Sequence, residues 1–392
     1  MNADVYKGEA LAATLTRGTS EVAFSYLPGY VGPPVASSLP VTAEPMVVGA
    51  GQLPPFLAGL LPEGRRLTGL RQALKVSADD ELSLLLAVGA DTVGDVRVVP
   101  AGSTPSTVSP IVDLDDHPAD LGALFERSIG PDYDRLAIPG VQPKVSGRMM
   151  TFPAKGAVGP VIVKLDPPEY SDVVRNEAAM LEAASLTGYR VPPHCVISDR
   201  RGANGLVVVR FDRSGAEGDP VRHPVEDGCQ VLGRYPADKY LLDTVDVIRG
   251  LAERCSAPPV AALQLVDRLL LSYLVGDGDL HARNLAIWRN PQGLWEPTPV
   301  YDVVCTALYG DDTLAAPLAG GTTVRQMGRR RFTTAAIAAG VPERAVSHLI
   351  DRRVPTLAAL VAGTLDSPPF TRFPSQSKTK RMLGRRAAAL MR

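Results

Sequence analysis

The stretch Gly276-Asp277-Gly278-Asp279-Leu280-His281-Ala282-Arg283-Asn284 is followed, seventeen residues after Asn284, by Tyr301-Asp302-Val303. Ahead of it runs Ala261–Gly276, an apolar segment with helical spacing. A long apolar helix therefore carries a polar loop at its end. In that loop an Asp is followed five residues later by an Asn, and a second Asp comes after a short strand-like stretch. These residue types suit phosphoryl transfer, in which one carboxylate takes a proton from the acceptor hydroxyl while an Asn amide and a second carboxylate hold Mg²⁺ against the phosphates. Asp279 is the candidate base or hydroxyl-orienting group. Asn284 and Asp302 are the candidate Mg²⁺ ligands, and His281 is read as a hydrogen-bonding packer of the loop. The same letters also describe a plain Gly-Asp-Gly-Asp turn, in which Asp277 and Asp279 only shape the chain. The tripeptide at Asp302 is not Asp-Phe-Gly and the loop is not His-Arg-Asp, so an ordinary protein kinase is excluded.

Working outward, Val161-Ile162-Val163-Lys164-Leu165 reads as a strand with one Lys among apolar residues. Glu177 follows thirteen residues later, in the helical pattern Val173–Thr187. A strand Lys oriented by a helix Glu is one way to position ATP phosphates; a solvent-facing Lys on an edge strand is the alternative. Before this strand lies Ala137-Ile138-Pro139-Gly140-Val141-Gln142-Pro143-Lys144, placed as a phosphate-covering loop but with a single Gly, as in an ordinary turn. Val209-Arg210-Phe211-Asp212-Arg213 reads either as the end of a strand whose Phe211 touches adenine or as a salt-bridged turn. The C-terminus carries Arg372, Lys378, Lys380, Arg381, Arg385, Arg386 and Arg392 with no acidic residue after Thr371. Such a run suits a nucleic-acid backbone, or simply a solvated helix end.

The 392 residues are 45% hydrophobic and 21% charged, with a net charge of −1. That is a globular composition with no overall field favouring nucleic acid. No signal-peptide pattern opens the chain, and apolar runs such as Leu269–Val275 fall short of a membrane span. Four scattered cysteines suggest buried thiols in a reducing cytoplasm. Residues 1–110 read as a mixed unit, with strands near Val5-Tyr6, Leu11–Leu15, Val22–Tyr26 and Val93–Val99 and helices at Leu53–Leu61 and Glu81–Leu86. Residues 111–223 give strands Ser146–Phe152 and Val161–Leu165 around a turn at Pro153–Pro160, then the Val173 helix, then strands Cys195–Ser198 and Leu206–Phe211. That is the order of a kinase small lobe. Residues 224–392 read as helical, with Leu241–Ala252, Thr333–Ala339, Glu343–Arg353 and Pro355–Leu365 besides the Ala261 helix. The expected fold is a bilobed α/β (α+β) kinase-like protein.

Together these motifs resemble the HipA toxin kinases. Phe56-Leu57-Ala58-Gly59-Leu60-Leu61-Pro62-Glu63-Gly64 and Gly89-Ala90-Asp91-Thr92-Val93-Gly94-Asp95-Val96 look like that family's N-terminal signatures. Pro139–Lys144 is similar to its phosphate loop, Val209–Arg213 and Glu226–Gln230 to its adenine-side segments, and Asp279–Asn284 with Tyr301–Val303 to its catalytic and metal motifs. The resemblance implies an ATP- and Mg²⁺-dependent serine/threonine kinase with Asp279 catalytic and Asn284 and Asp302 on the metal. It implies Lys164 on the phosphates, and Gly140, Gln142, Lys144, Phe211, Asp212, Gln230, His281 and Tyr301 at or beside the nucleotide. It implies a HipB-like DNA-binding antitoxin partner, with DNA contact through that complex aided by Lys378, Lys380 and Arg381, and a protein substrate such as an aminoacyl-tRNA synthetase. A small-molecule phosphotransferase of the aminoglycoside or choline kinase type and an inactive kinase-fold scaffold are the rivals. Two departures stand out. Val209 occupies the place of a carboxylate beside adenine, and no Ser or Thr lies between Ile129 and Val145, where the family carries a self-silencing phosphoserine. Control is then expected from a bound partner or from a site after the loop such as Ser146.

Overall fold

The computed structural model describes residues 1–77, 79–105, 112–113, 120–121, 149–156, 159–215 and 220–392. The expected phosphate loop, with Gly140, Gln142 and Lys144, lies outside the described residues, as does Ser146.

The N-terminal unit is an antiparallel sheet of β1 (Asn2–Lys7), β2 (Ala10–Arg17), β3 (Glu21–Tyr26), β4 (Met46–Gly49) and β5 (Val96–Pro100), ordered β4-β3-β2-β1-β5. Val5, Leu15, Val22 and Phe24 bury one face against α1 (Pro55–Ala58), α2 (Gly64–Leu74) and α3 (Glu81–Val88). The helix expected over Leu53–Leu61 is only the single turn α1. Pro55 opens it and Gly59 closes it, and Pro62 bars its continuation. The α2 helix, with a Gly at its start and another within, gave no clear pattern in the sequence.

A second sheet has the order β6-β7-β8-β10-β9, from β6 (Val112–Asp113), β7 (Met150–Gly156), β8 (Gly159–Leu165), β9 (His194–Ser198) and β10 (Asn204–Val209). The turn expected over Pro153–Pro160 is mostly ladder, since Pro153 pairs with Ile162 and Lys155 with Pro160. Proline is tolerated there because β7 lies near the sheet edge, bordered only by the two-residue β6. α4 (Val173–Leu186) packs Val173 and Val174 against Leu206 and Val208 of β10. Strand, strand, helix, strand, strand is thus the observed order of a kinase small lobe.

After the short pair β11 (Arg213–Ser214) and β12 (Val221–Arg222) the chain becomes mainly helical. It forms α5 (Gly228–Val231), α6 (Thr244–Arg254), α7 (Pro258–Val275), α8 (Arg329–Ala338), α9 (Glu343–Leu365) and α10 (Gln376–Met391). A small sheet of β13 (Val225–Asp227), β14 (Ala286–Arg289) and β15 (Trp295–Pro297) completes the lobe. By length and composition alone α7 is apolar enough to cross a bilayer, but 67% of it is buried inside the lobe, as in a core helix. The two helices expected on either side of Val354 are one. Val354, Leu357, Val361 and Leu365 are all buried, and that packing carries α9 through Pro355 despite the lost backbone donor. The basic terminus is a packed helix, not a tail. Arg386 is buried and donates to the carbonyls of Tyr273 and Asp312, and Lys380 pairs with Asp366. Lys378, Arg381 and Arg385 remain exposed.

An ionic cluster joins the N-terminal unit to the sheet above the helical lobe. Asp212 lies 2.9 Å from Arg210 and 2.7 Å from Arg213, and accepts the Gly94 N–H at 2.9 Å. Both arginines also reach Asp91, each at 3.0 Å. Burial opposes the Asp212 charge, but the two guanidiniums hold its carboxyl far below the usual range. Asp212→Ala would leave two buried guanidiniums short of a partner, so it is expected to destabilise the protein by about 3–5 kcal/mol. Chemical unfolding of the purified variant checks this, and a loss under about 1 kcal/mol would show the cluster to be dispensable.

Candidate active site

In β8 the residues alternate between two faces. Val161, Val163 and Leu165 enter one small core, and Lys164 points to the opposite side, toward α4 and the helical lobe. There its ammonium lies 2.6 Å from Glu177 on α4 and 2.5 Å from Asp302. Lys164 and Glu177 are buried, whereas the Asp302 side chain is 31% exposed. Burial works against the Lys164 charge, yet Asp302 and Glu177 hold its pKa above the ordinary lysine range. Burial likewise opposes the Asp302 charge, and Lys164 keeps that carboxyl below its usual range.

Asp302 adopts a left-handed backbone, φ +55°, which is unfavourable for a residue with a side chain. Two buried groups hold it there. Arg268 of α7 donates to the carbonyls of Tyr301 at 3.2 Å and Asp302 at 3.4 Å. Asn176 of α4 exchanges two hydrogen bonds with the backbone of Cys305, at 3.2 and 2.9 Å. Neither residue stood out in the sequence, because neither carries a local pattern.

The catalytic-loop candidates follow α7, which ends on Gly276 in the left-handed conformation. Asp277 accepts the Asp279 N–H at 2.8 Å and the Ser272 hydroxyl at 3.1 Å. Burial pushes its pKa to about 7, against the pull of Arg268. Asp277 therefore builds the turn, and Asp279 is the carboxylate that the turn presents. Asp279 Oδ1 accepts from the Tyr240 hydroxyl at 3.0 Å, and the Asn284 amide donates to the Asp279 carbonyl at 3.1 Å. That bond orients the Asn284 amide. His281 is buried with its ring edge-on to Tyr240 at 5.1 Å. Burial, then the charge of Lys239, drives its pKa to about 3, so it is neutral at physiological pH.

A cavity of about 400 Å³ opens beside Lys164. Lys164, Asp302, Phe211 and Tyr301 line it together with the turn Gly59–Glu63 of the N-terminal unit. Phe211 and Tyr301 are stacked on each other, 5.9 Å between centroids, and so form one aromatic wall. Asp212 and Gln230 also border the cavity, but their polar ends are engaged. Asp212 belongs to the ionic cluster, and Gln230 donates to the Phe56 carbonyl and accepts the Asp227 N–H. Gly59 permits that approach, since a Cβ there would come within 2.9 Å of Gln230. Of the Asp279–Asn284 loop, Arg283 lines this cavity, and Asn284 lines a separate cavity of about 260 Å³ with Arg268 and Tyr301. Val209, which stands where a carboxylate was expected, lines the larger cavity.

Among the described residues no group of three or more His, Cys, Asp or Glu makes a ready-made metal cage. Mg²⁺ needs none in a phosphotransferase, where one or two protein oxygens are completed by phosphates and water. The Asp302 carboxylate and the oriented Asn284 amide oxygen are hard donors of that type.

Comparison with known proteins bears on this geometry. Residues 3–99 match the HipA N-terminal domain family and residues 136–360 the HipA-like C-terminal domain family. A putative kinase of Sinorhizobium fredii, Y4mE, is 30% identical over 85% of this chain and 84% of its own. The serine/threonine-protein kinase toxin HipA of Shewanella oneidensis is 30% identical over 67% of this chain and 65% of its own. The solved complex of Shewanella oneidensis HipA with HipB and operator DNA has the same fold, with a TM-score of 0.80 over 99% of this chain and 97% of the other, at 22% identity. With a family match at each end of the chain and this pocket between the lobes, the protein belongs to the HipA-type family of serine/threonine kinases.

Proposed function

We propose that this protein transfers the γ-phosphoryl group of MgATP to a Ser or Thr hydroxyl of a protein, as the toxin of a toxin–antitoxin pair. The observation that carries it is Lys164, held between Glu177 and Asp302 at the edge of a cavity that Arg283 of the Asp279–Asn284 loop also lines. In this proposal Lys164 binds the phosphates, and the Phe211–Tyr301 wall receives the base. Asn284 and Asp302 would hold Mg²⁺, which supplies positive charge against the phosphate oxygens. Asp279 orients the acceptor hydroxyl and takes its proton as the O–P bond forms. Gly140, Gln142 and Lys144, outside the described residues, are the proposed phosphate-side contacts. Asp212 and Gln230 shape the pocket without binding the nucleotide through their polar atoms, since those are engaged, and His281 packs against Tyr240.

The protein works in the cytoplasm beside a HipB-like antitoxin, and an aminoacyl-tRNA synthetase is the substrate class to test first. DNA contact comes through the antitoxin complex. In α10, Lys378 and Arg381 are exposed and suit that contact, whereas Lys380 is engaged by Asp366.

Three outcomes are expected. Asp279→Asn should fold and bind MgATP but lose about 10²–10⁴-fold in turnover. Near-wild-type turnover of the purified variant would remove Asp279 from the chemistry. Asp302→Ala should weaken MgATP far more than adenosine in calorimetric titrations with and without Mg²⁺, because Asp302 acts through the metal. Equal losses for both ligands would point to a collapsed site. With antitoxin and operator DNA, neutralising Lys378 and Arg381 should flatten the salt dependence of binding by roughly 0.9 per lost phosphate contact; an unchanged slope would leave α10 off the DNA.

A further inference from the structure

The Tyr240 hydroxyl donates to Asp279 Oδ1 at 3.0 Å, and nothing in the reaction as described so far uses it. Tyr240 ends a 3₁₀ turn, Pro236–Tyr240, and two contacts hold its ring. Its ring meets His281 edge-on, with an interplanar angle of 77°. Lys239 Nζ sits 5.1 Å over the ring centroid. The same Lys239 is 3.0 Å from Glu63 of the N-terminal unit. Glu63 in turn lies 2.8 Å from Arg283, inside the Asp279–Asn284 loop, and Arg283 donates to the Gly59 carbonyl at 2.6 Å.

One carboxylate of the N-terminal unit thus grips both elements that meet at Asp279. We infer that Tyr240 is a positioning residue for Asp279, and that the N-terminal unit holds it in place through Glu63 and Lys239. The inference rests on Asp279 being the group that receives the acceptor hydroxyl. A carboxylate on Cβ rotates freely unless a donor fixes it, and a misplacement of about 1 Å at a reacting group can cost 10²-fold in rate. A phenol whose ring is held by His281 and Lys239 is a suitable fixed donor. The same clamping argues against a stopper that an incoming acceptor would push aside.

The test is steady-state kinetics of the full chain on a protein acceptor, with ATP binding measured separately. Tyr240→Phe keeps the ring contacts and removes the hydroxyl. It should lower kcat by about 10- to 100-fold, with KM and Kd for ATP unchanged and the melting temperature close to wild type. Glu63→Gln should lower kcat less, and the double variant should be no worse than Tyr240→Phe alone, since both act along one line of contacts. Full activity of Tyr240→Phe, with Asp279→Asn inactive, would overturn the inference and leave the assignment of Asp279 intact. Higher activity of Tyr240→Phe would make Tyr240 a stopper and equally overturn it. Full activity of Asp279→Asn would instead overturn the assignment on which it rests. Multiplying losses in the double variant would detach the N-terminal unit from the effect.

Discussion

An ammonium buried in a protein needs a negative partner, and Lys164 has two. Removing such a charge from water costs several kcal/mol, offset only by close and well-oriented carboxylates. Glu177 and Asp302 supply them from opposite directions, one from α4 and one from the loop after β15. The need to neutralise one ammonium therefore pulls a strand, a helix and a loop of the other lobe onto a single point. Asn176 and Arg268 make the approach durable by fixing the loop backbone on either side of Asp302. The cluster keeps one surplus negative charge, from two carboxylates against one ammonium. Asp302 is the more exposed of the two, at 31% against 1% for Glu177. Asp302 is thus the solvent-facing carboxylate of the pair and Glu177 the enclosed one.

The N-terminal unit is part of this machinery and not an appendage. Its turn Gly59–Glu63 walls the cavity, its Asp91 and Gly94 complete the ionic cluster around Asp212, and its Glu63 reaches the catalytic-loop candidates through Arg283. A small-molecule phosphotransferase would have no evident need for such an addition. Here the Glu63–Arg283 ion pair ties the unit directly to the Asp279–Asn284 loop.

Much of this was legible in the sequence, and the physical reason is that it is local. A lone Lys in an apolar strand, a Glu thirteen residues later and an Asp-Asn pair five apart are patterns within one element or between neighbours. The order of strands and helix in the small lobe followed from periodicity in the same way. What escaped depends on distance along the chain. Arg283 meets Gly59 across 224 residues, and Arg210 meets Asp91 across 119. The salt-bridged turn at Asp212 is one of two readings of its sequence, and the neighbouring Arg210 and Arg213 do bind its carboxylate; only the link to Asp91 was hidden. Tyr240, Asn176 and Arg268 carry no pattern at all until the fold brings them to the site. Pro355 and Pro153 misled for the opposite reason. Local rules for proline are strong, but a buried face on α9 and a nearby sheet edge at β7 override them.

The most direct test is quantitative phosphoproteomics of cells expressing the wild-type chain or Lys164→Met, a replacement that keeps the volume of the side chain and removes its charge. The account predicts a small set of phosphoserine or phosphothreonine sites that appear with the wild-type protein and vanish with the variant, although soluble variant accumulates. The same sites at the same occupancy with both proteins would contradict it, because transfer would then proceed without the residue around which the site is built.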